Sequence, residues 1–538
     1  MNAPTEKSAA DYDAVVIGAG MAGMYFHYRL RQLGLTAKGF EAGSDVGGTW
    51  YWNRYPGARF DSESYSYGFS FSQEILDEWE WSEHFAPQPE TLRYLNFVAD
   101  KLDLRRDIQF NTRIESASYD ACNRLWTVTA EDGTTTSARY LLLAMGVLSV
   151  PFTPDFEGIE DFEGLSWHTA DWPREPISLS DKKVGVIGTG ATAVQMITEI
   201  AKDIGDLTVF QRTPNYCKPL RNRAITPEEQ VEIKASYPQI FKRCEETLGG
   251  FLHDFVERSA LDASEEEREA FYEELWQQPG FSYWLGIYND ILTDEKANET
   301  ASEFARNKIR ERVNDPEVAE LLAPKDHMFG TKRQPMESGY YEVFNQPNVH
   351  LVDIKTHPIT RLTKTGLETA VESYDFDVII FATGFDAVTG ALNNIEINGE
   401  HGTLKEAWGS SPATYLGVSA NGFPNMFIAG GPHNTTSFCN IPRCIEHNVE
   451  WITDCIEYLE KHNIGRIEAT EEAQDAWTAH ALALAEDTLF VKNDSWFMGS
   501  NIPGKKRVFL NYVGGIPLFL QKLASVAENK YEGFTLEQ

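Results

Sequence analysis

Twice in this chain an apolar run stops at glycines spaced for a tight turn and resumes as a helix former. The first is DYDAVVIGAGMAGMYFHYRLRQLG, residues 11–34, with Gly18, Gly20 and Gly23 as GxGxxG. The second is KKVGVIGTGATAVQMITEIA, residues 182–201, with Gly188, Gly190 and Ala193 as GxGxxA. Each predicts strand, turn and helix. Glycine permits the sharp turn and lets backbone approach a pyrophosphate, which rests on the free N–H groups at the helix start. Two such units predict an α/β fold class with two Rossmann-like dinucleotide-binding domains.

The residues that would meet the ribose differ between the units. Glu41 follows Gly18 by 23 positions, at the end of the predicted strand TAKGFE. A carboxylate there accepts hydrogen bonds from a ribose 2′-OH, so the first unit reads as a site for FAD or NAD. Twenty-three positions past Gly188 the chain reads TVFQRTP, with Gln211 in the place of the acid, followed by Arg212 and Thr213. A carboxylate would repel a 2′-phosphate, whereas a guanidinium can bind one with two hydrogen bonds. The second unit therefore reads as NADP(H)-binding.

At 538 residues the chain is long enough for two or three packed units. The paired motifs predict an FAD domain at 1–150 and 387–538, and an inserted NADP domain at 151–221 and 331–386. The apolar run in YDFDVIIFATGFD, 374–386, marks the return between them. Residues 222–330 are rich in helix formers such as EEEREAFYEELW and predict a helical insertion whose acidic runs are solvated faces. No apolar run approaches the ~18 residues that cross a bilayer, and the opening MNAPTEKSAADYD lacks a secretory pattern. The expectation is a soluble cytoplasmic protein. A formal charge of −34 argues against nucleic-acid or anionic-membrane partners and requires local cations for any anionic ligand.

The six cysteines are scattered and read as reduced, mostly buried thiols. Disulfide reductases with paired nucleotide motifs carry a redox CxxxxC just after Gly47-Gly48-Thr49, but here Trp50 takes the first cysteine's place. The CxxxxC of Cys439 and Cys444 comes hundreds of residues later and reads as packing or loop thiols. Adding His447 gives no convincing fourth zinc ligand, so no metal site is predicted.

Two further stretches carry a family likeness. GGTWYWNRYPGARFD, 47–61, resembles the GGxWxxxxYPGxxxD pattern of type I Baeyer–Villiger monooxygenases. FEGLSWHTADWP, 162–173, resembles their FxGxxxHxxxWP fingerprint at Phe162, Gly164, His168, Trp172 and Pro173. Related N-hydroxylating and flavin-containing monooxygenases share a similar string but differ at its aromatic end. The likeness runs from Gly18 to SWFMGSNIPGKKR at 495–507. It implies that NADPH reduces bound FAD, that O2 then gives a flavin C4a-peroxyanion, and that this attacks a ketone to yield an ester or lactone. Sulfoxidation is an expected side activity, and no obligate redox protein partner is expected.

By the same resemblance Arg333, in GTKRQPMESGYYEVF, is the catalytic cation, with Asp61 positioning it and Lys332 available to the NADP 2′-phosphate. A permanent charge suits that task, because a peroxyanion and its tetrahedral adduct need a fixed cation. Gln334 between Arg333 and Pro335 departs from the family pattern. Gly48, Thr49 and Trp50 are assigned to the FAD site. Trp496, between turn-forming residues, corresponds to a tryptophan that contacts the nicotinamide cofactor from a mobile loop. Phe438, Cys439 and Asn440, in TTSFCNIP, are assigned to the substrate wall. Lying in the connection between domains with neither helical nor strand periodicity, the fingerprint reads as a coupling linker. His168 is then a hydrogen-bonded linker group rather than a base, and Phe162 and Trp172 anchor it by packing. Two alternatives are an S- or N-oxygenating flavin monooxygenase and an electron-transfer flavoprotein reductase.

Overall fold

A computed structural model describes residues 10–538. The first nine residues, most of the segment read as lacking a secretory pattern, lie outside the described residues. Among those described, no helix is long and apolar enough to cross a membrane.

The first glycine motif opens an eight-stranded sheet. Strand Tyr12–Ile17 lies between the parallel strands Ala37–Phe40 and Thr135–Leu143. Its run Ala14-Val15-Val16 is wholly buried, as an apolar strand covered on both faces must be. Strand Met426–Ile428 pairs with Thr135–Leu143, and Glu396–Asn398 joins the far edge beside Ile114–Asp120. The chain thus returns to this sheet after an excursion of some 250 residues.

The excursion builds a second, five-stranded parallel sheet in the order Val349–Asp353, Asp206–Gln211, Lys183–Ile187, Val378–Phe381, Leu165–His168. The segment expected to be an irregular linker thus supplies this sheet's edge strand. LSWH has no alternation because its first residues face solvent, with Leu165 54% exposed. Pairing with Val378–Phe381 makes it a strand, in the register Leu165↔Val378 to His168↔Phe381.

In the chain between the second sheet's strands Asp206–Gln211 and Val349–Asp353 come helices Pro227–Glu246, Glu265–Gln277, Glu295–Arg310 and Pro316–Leu322. Capping boxes start the first two, Thr226 with Glu229 and Ser264 with Glu267. The acidic run Glu265-Glu266-Glu267 occupies a first turn, where negative charge complements the helix dipole.

Candidate functional site

The two glycine motifs share their geometry to the ångström. Gly18 has φ +103° and Gly188 +115°, and a Cβ there would lie 2.4 Å from the Ala144 carbonyl and 2.3 Å from that of Ala382, respectively. In each unit only glycine lets the turn press against the next parallel strand's end. Gly23 meets the Gly18 carbonyl in the same way, while Ala193 is fully buried. Gly20 faces Gly48, whose own Cβ would stand 2.8 Å from the Gly20 Cα, and Gly190 borders open space. Both helices begin with no side-chain cap, leaving backbone N–H groups free to face an anion.

These turns open into one cavity of about 1720 Å³ that runs from Gly18 and Glu41 to Gly188 and Arg212. Glu41 is buried, and its oxygens accept from Ala19 N–H at 2.9 Å and Gly43 N–H at 2.7 Å. Gln211, its counterpart, turns away: its amide donates to the Leu321 carbonyl at 2.8 Å. The ribose end of the second unit is left to Arg212, which is exposed, Thr213 and Lys332. Burial lowers the Lys332 ammonium from its usual range, Asp326 opposes that shift and Arg212 adds to it. Among the described residues neither cation has a carboxylate within 4.0 Å, which in so acidic a protein leaves both for an anion. The donor set and the volume fit a flavin dinucleotide at one end and a phosphorylated nicotinamide dinucleotide at the other.

In the lining of the same cavity, Arg333 meets Asp61 with Nη1 2.6 Å from Oδ2. The Asp61 side chain is wholly buried; burial pushes its carboxyl up and the guanidinium pulls it down. Its other oxygen accepts from Gln195 Nε2 at 3.3 Å. Gln195 lies on helix Ala191–Ile200, which the second glycine motif starts, and it also receives the Tyr55 hydroxyl at 3.1 Å. This tie from the second nucleotide motif to Asp61 escaped sequence reasoning. Its one signal was a long amide side chain among the buried residues of a mostly apolar helix. The Phe281 ring lies 5.3 Å from the Arg333 Cζ, the distance of a cation–π contact.

Thr49 and Trp50 start the short helix Thr49–Trp52, and Trp50 Nε1 donates to the Tyr67 hydroxyl at 3.0 Å. In the fingerprint, Phe162 fills the space a side chain on Gly164 would need, 2.4 Å from its Cβ position. His168 is buried, and its Nδ1 accepts from Ala170 N–H at 3.0 Å, which leaves the ring proton on Nε2. Burial lowers its pKa, so the ring is neutral at neutral pH. Trp172 stands edge-on to Trp167 at 5.4 Å, and the residue after Pro173, Arg174, donates to the Tyr51 hydroxyl.

Trp496 starts a 3-10 turn, Trp496–Met498, in a segment that bonds back towards the cavity: Asn501 donates to the Phe385 carbonyl at 2.8 Å and Lys505 meets Asp386 at 2.5 Å. Phe438 packs edge-on against Trp284, Phe490 and Phe497. Asn440 donates to the Ser66 carbonyl at 3.2 Å. Cys439 and Cys444 are joined as a disulfide, in place of the free thiols expected. Cys439 precedes the N-cap Asn440 of helix Ile441–Lys461, and Cys444 lies within its first turn. The other four cysteines are free.

A family profile described as pyridine nucleotide-disulphide oxidoreductase matches residues 15–246. The 2-oxo-Δ3-4,5,5-trimethylcyclopentenylacetyl-CoA monooxygenase of Pseudomonas putida is 45% identical over 97% of this chain and 98% of its own. A Baeyer–Villiger monooxygenase of Pseudooceanicola batsensis is 43% identical over 99% and 98%. A crystal structure of OTEMO with FAD and NADP superposes with a TM-score of 0.96 at 45% identity, covering 98% of this chain and all of that one. With both nucleotide turns, the joining cavity and the Arg333–Asp61 pair in place, these likenesses over the whole length have one reading: the chain belongs to the FAD- and NADP-dependent Baeyer–Villiger monooxygenases.

Proposed function

We propose that this enzyme converts an uncharged ketone, with O2, NADPH and a proton, to an ester or lactone, NADP+ and water, and that Arg333 is the group that stabilises the charge developing on oxygen. The observation that carries this reading is the buried Asp61 holding Arg333 at the wall of the cavity between the nucleotide turns. Bound FAD supplies the chemistry that takes hydride from NADPH and activates O2. The protein's part is to place and to shield. Arg333 brings a fork of donors that cannot lose its charge, and Asp61, with Gln195 behind it, keeps the fork from turning away. Glu41 receives the ribose of the flavin nucleotide; Arg212 and Lys332, with Thr213 at the strand end, receive the NADPH 2′-phosphate. Trp496 backs the nicotinamide, and His168 holds the fingerprint strand in place.

Phe438, Cys439 and Asn440, with Phe251, Phe281 and Trp284, form the wall that meets the ketone. Its aromatic character favours an apolar ring or chain over a charged substrate. We assign 1–150 and 387–538 to the FAD unit, 151–221 and 331–386 to the NADP unit, and 222–330 to a helical insertion that roofs the cavity. Sheet membership supports that division. We also infer a cytoplasmic enzyme that needs no redox protein partner, since NADPH can reach the same cavity.

The test is a panel of ketones, with sulfides and amines beside them, turned over under oxygen-18 labelled O2 and read by mass spectrometry. One labelled oxygen should enter an ester or lactone. Arg333→Ala should still let NADPH bleach bound FAD anaerobically, yet lose ester and release hydrogen peroxide. A normal ester yield from that variant would remove Arg333 from the reaction, and label only in sulfoxides or N-oxides would overturn the ketone reading.

A further inference from the structure

Lys218 has no part in the chemistry described so far, yet it is a wholly buried cation, 0% exposed. It lies on the two-residue strand Lys218–Pro219, parallel to Met336–Glu337, and its backbone N–H donates to the Pro335 carbonyl at 3.1 Å. This holds the chain two residues beyond Arg333. Its ammonium donates to the carbonyls of Gln278 at 2.6 Å and Gly280 at 3.1 Å, and reaches that of Pro219 at 3.4 Å. Among the described residues no carboxylate pairs with it. Gln278 and Gly280 belong to the turn that ends helix Glu265–Gln277, where a cation also suits the dipole. Gly280 has φ +60°, and a Cβ there would stand 3.1 Å from the Phe85 ring and 3.3 Å from Glu63 Oε1, so the turn has little room to shift. The next residue is Phe281, whose ring covers the Arg333 guanidinium.

We propose that Lys218 is a positioning residue for Arg333: by gripping the Arg333 segment with its main chain and the Gln278–Phe281 turn with its side chain, it keeps the Phe281 ring on the guanidinium. Asp61 and Phe281 then both hold the guanidinium. The inference rests on the role given to Arg333 above. Loss of the grip would free the arginine and leave two buried carbonyls without a donor.

The grip is sensitive to protonation, because a neutral amine donates two hydrogens where an ammonium donates three. Burial, with Arg221 adding to it, lowers Lys218 to about 7, while Glu337 and Glu63 favour the charged form. Those carboxylates are themselves paired, Glu337 with Arg312 and Glu63 with His253.

The experiment compares FAD-loaded wild type with Lys218→Met and Lys218→Gln, the latter keeping two N–H donors without a titrating group. Three quantities are measured: anaerobic bleaching of FAD by NADPH, the share of oxidised NADPH that appears as peroxide rather than ester, and amide hydrogen exchange over 278–285. Lys218→Met should raise the peroxide share several-fold and speed exchange in the turn while leaving bleaching little changed; Lys218→Gln should restore most of both. Wild type should lose part of its coupling as pH rises through about 7, falling with its third donor and its charge towards the level of Lys218→Gln, which lacks the step. A Lys218→Met protein with normal FAD content, coupling and exchange would overturn the proposal. Should that variant fail to fold, an identical pH step in wild type and Lys218→Gln overturns it instead. If Arg333→Ala itself made ester normally, the parent reading would fall; if Arg333→Ala uncouples and the Lys218 variants do not, only this inference does.

Discussion

Glu41 and Gln211 occupy the same place in two copies of one unit and do opposite things. Glu41 stays at the cavity floor, accepting two backbone N–H groups. Gln211 faces inward to Leu321, and the outward task passes to its neighbour Arg212. The exchange of acid for amide was legible in the chain; the turning away of the amide was not, because its partner lies 110 residues further on. Since Arg212 and Lys332 are cations without carboxylate partners among the described residues, the unmodified enzyme should prefer NADPH strongly to NADH. Arg212→Ala should weaken NADPH by roughly tenfold or more, as loss of a charge-assisted contact does, and leave NADH nearly unchanged. Michaelis constants for both cofactors check this, and an unchanged ratio in the variant would shift the 2′-phosphate elsewhere.

At the scale of elements, the strand Leu165–His168 ties several parts together. It closes one edge of the second sheet through Val378–Phe381, and the chain beyond it crosses to the first unit, where Arg174 meets Tyr51 beside Trp50. The Arg174 guanidinium also lies 4.7 Å from the Tyr51 ring centre, a second hold on the same contact. On the proposed reading, this strand fixes one nucleotide unit against the other and so sets where the nicotinamide falls. His168→Ala should therefore slow reduction of FAD by NADPH and overall turnover together while leaving FAD bound. The shape of the pH–rate profile should not change, because burial keeps this ring neutral at neutral pH and its charge does not change there. Stopped-flow reduction beside flavin content measures both. Normal reduction with loss of ester alone would place His168 among the groups that touch substrate. The motif's residues were recognisable by likeness, but its strand was not, since an edge with an exposed Leu165 has no alternation of its own.

Over the whole molecule, acid sensitivity follows from histidines buried without charge. His27 and His433 are each about 1% exposed or less, and burial lowers both to about 4 from 6.5, with Asp107 opposing the shift at His27 and the Phe509 carbonyl opposing it at His433. The unfolded chain takes up these protons at a higher pH than the folded one. Their contribution is thus complete above about pH 6.5 and is lost as pH falls towards about 4, on the order of 3 kcal/mol per group at most. The melting temperature should drop between about pH 7 and about pH 5, and His27→Phe, which keeps a ring against Gly39, should flatten that slope. An equal slope in the variant would assign the acid sensitivity to other groups. By itself the chain determined the two strand–turn–helix units, the acid in one and the arginine in the other, and the helix-forming character of 222–330. These rest on turn chemistry and helix propensity among residues a few positions apart. Tertiary structure alone decided that Gln195 backs Asp61, that Phe281 covers Arg333, that Lys218 grips the turn between them, and that Cys439 meets Cys444. All but the last join segments tens to hundreds of residues apart, and such contacts exist only once burial of the sheets and helices has brought their ends to a common cavity.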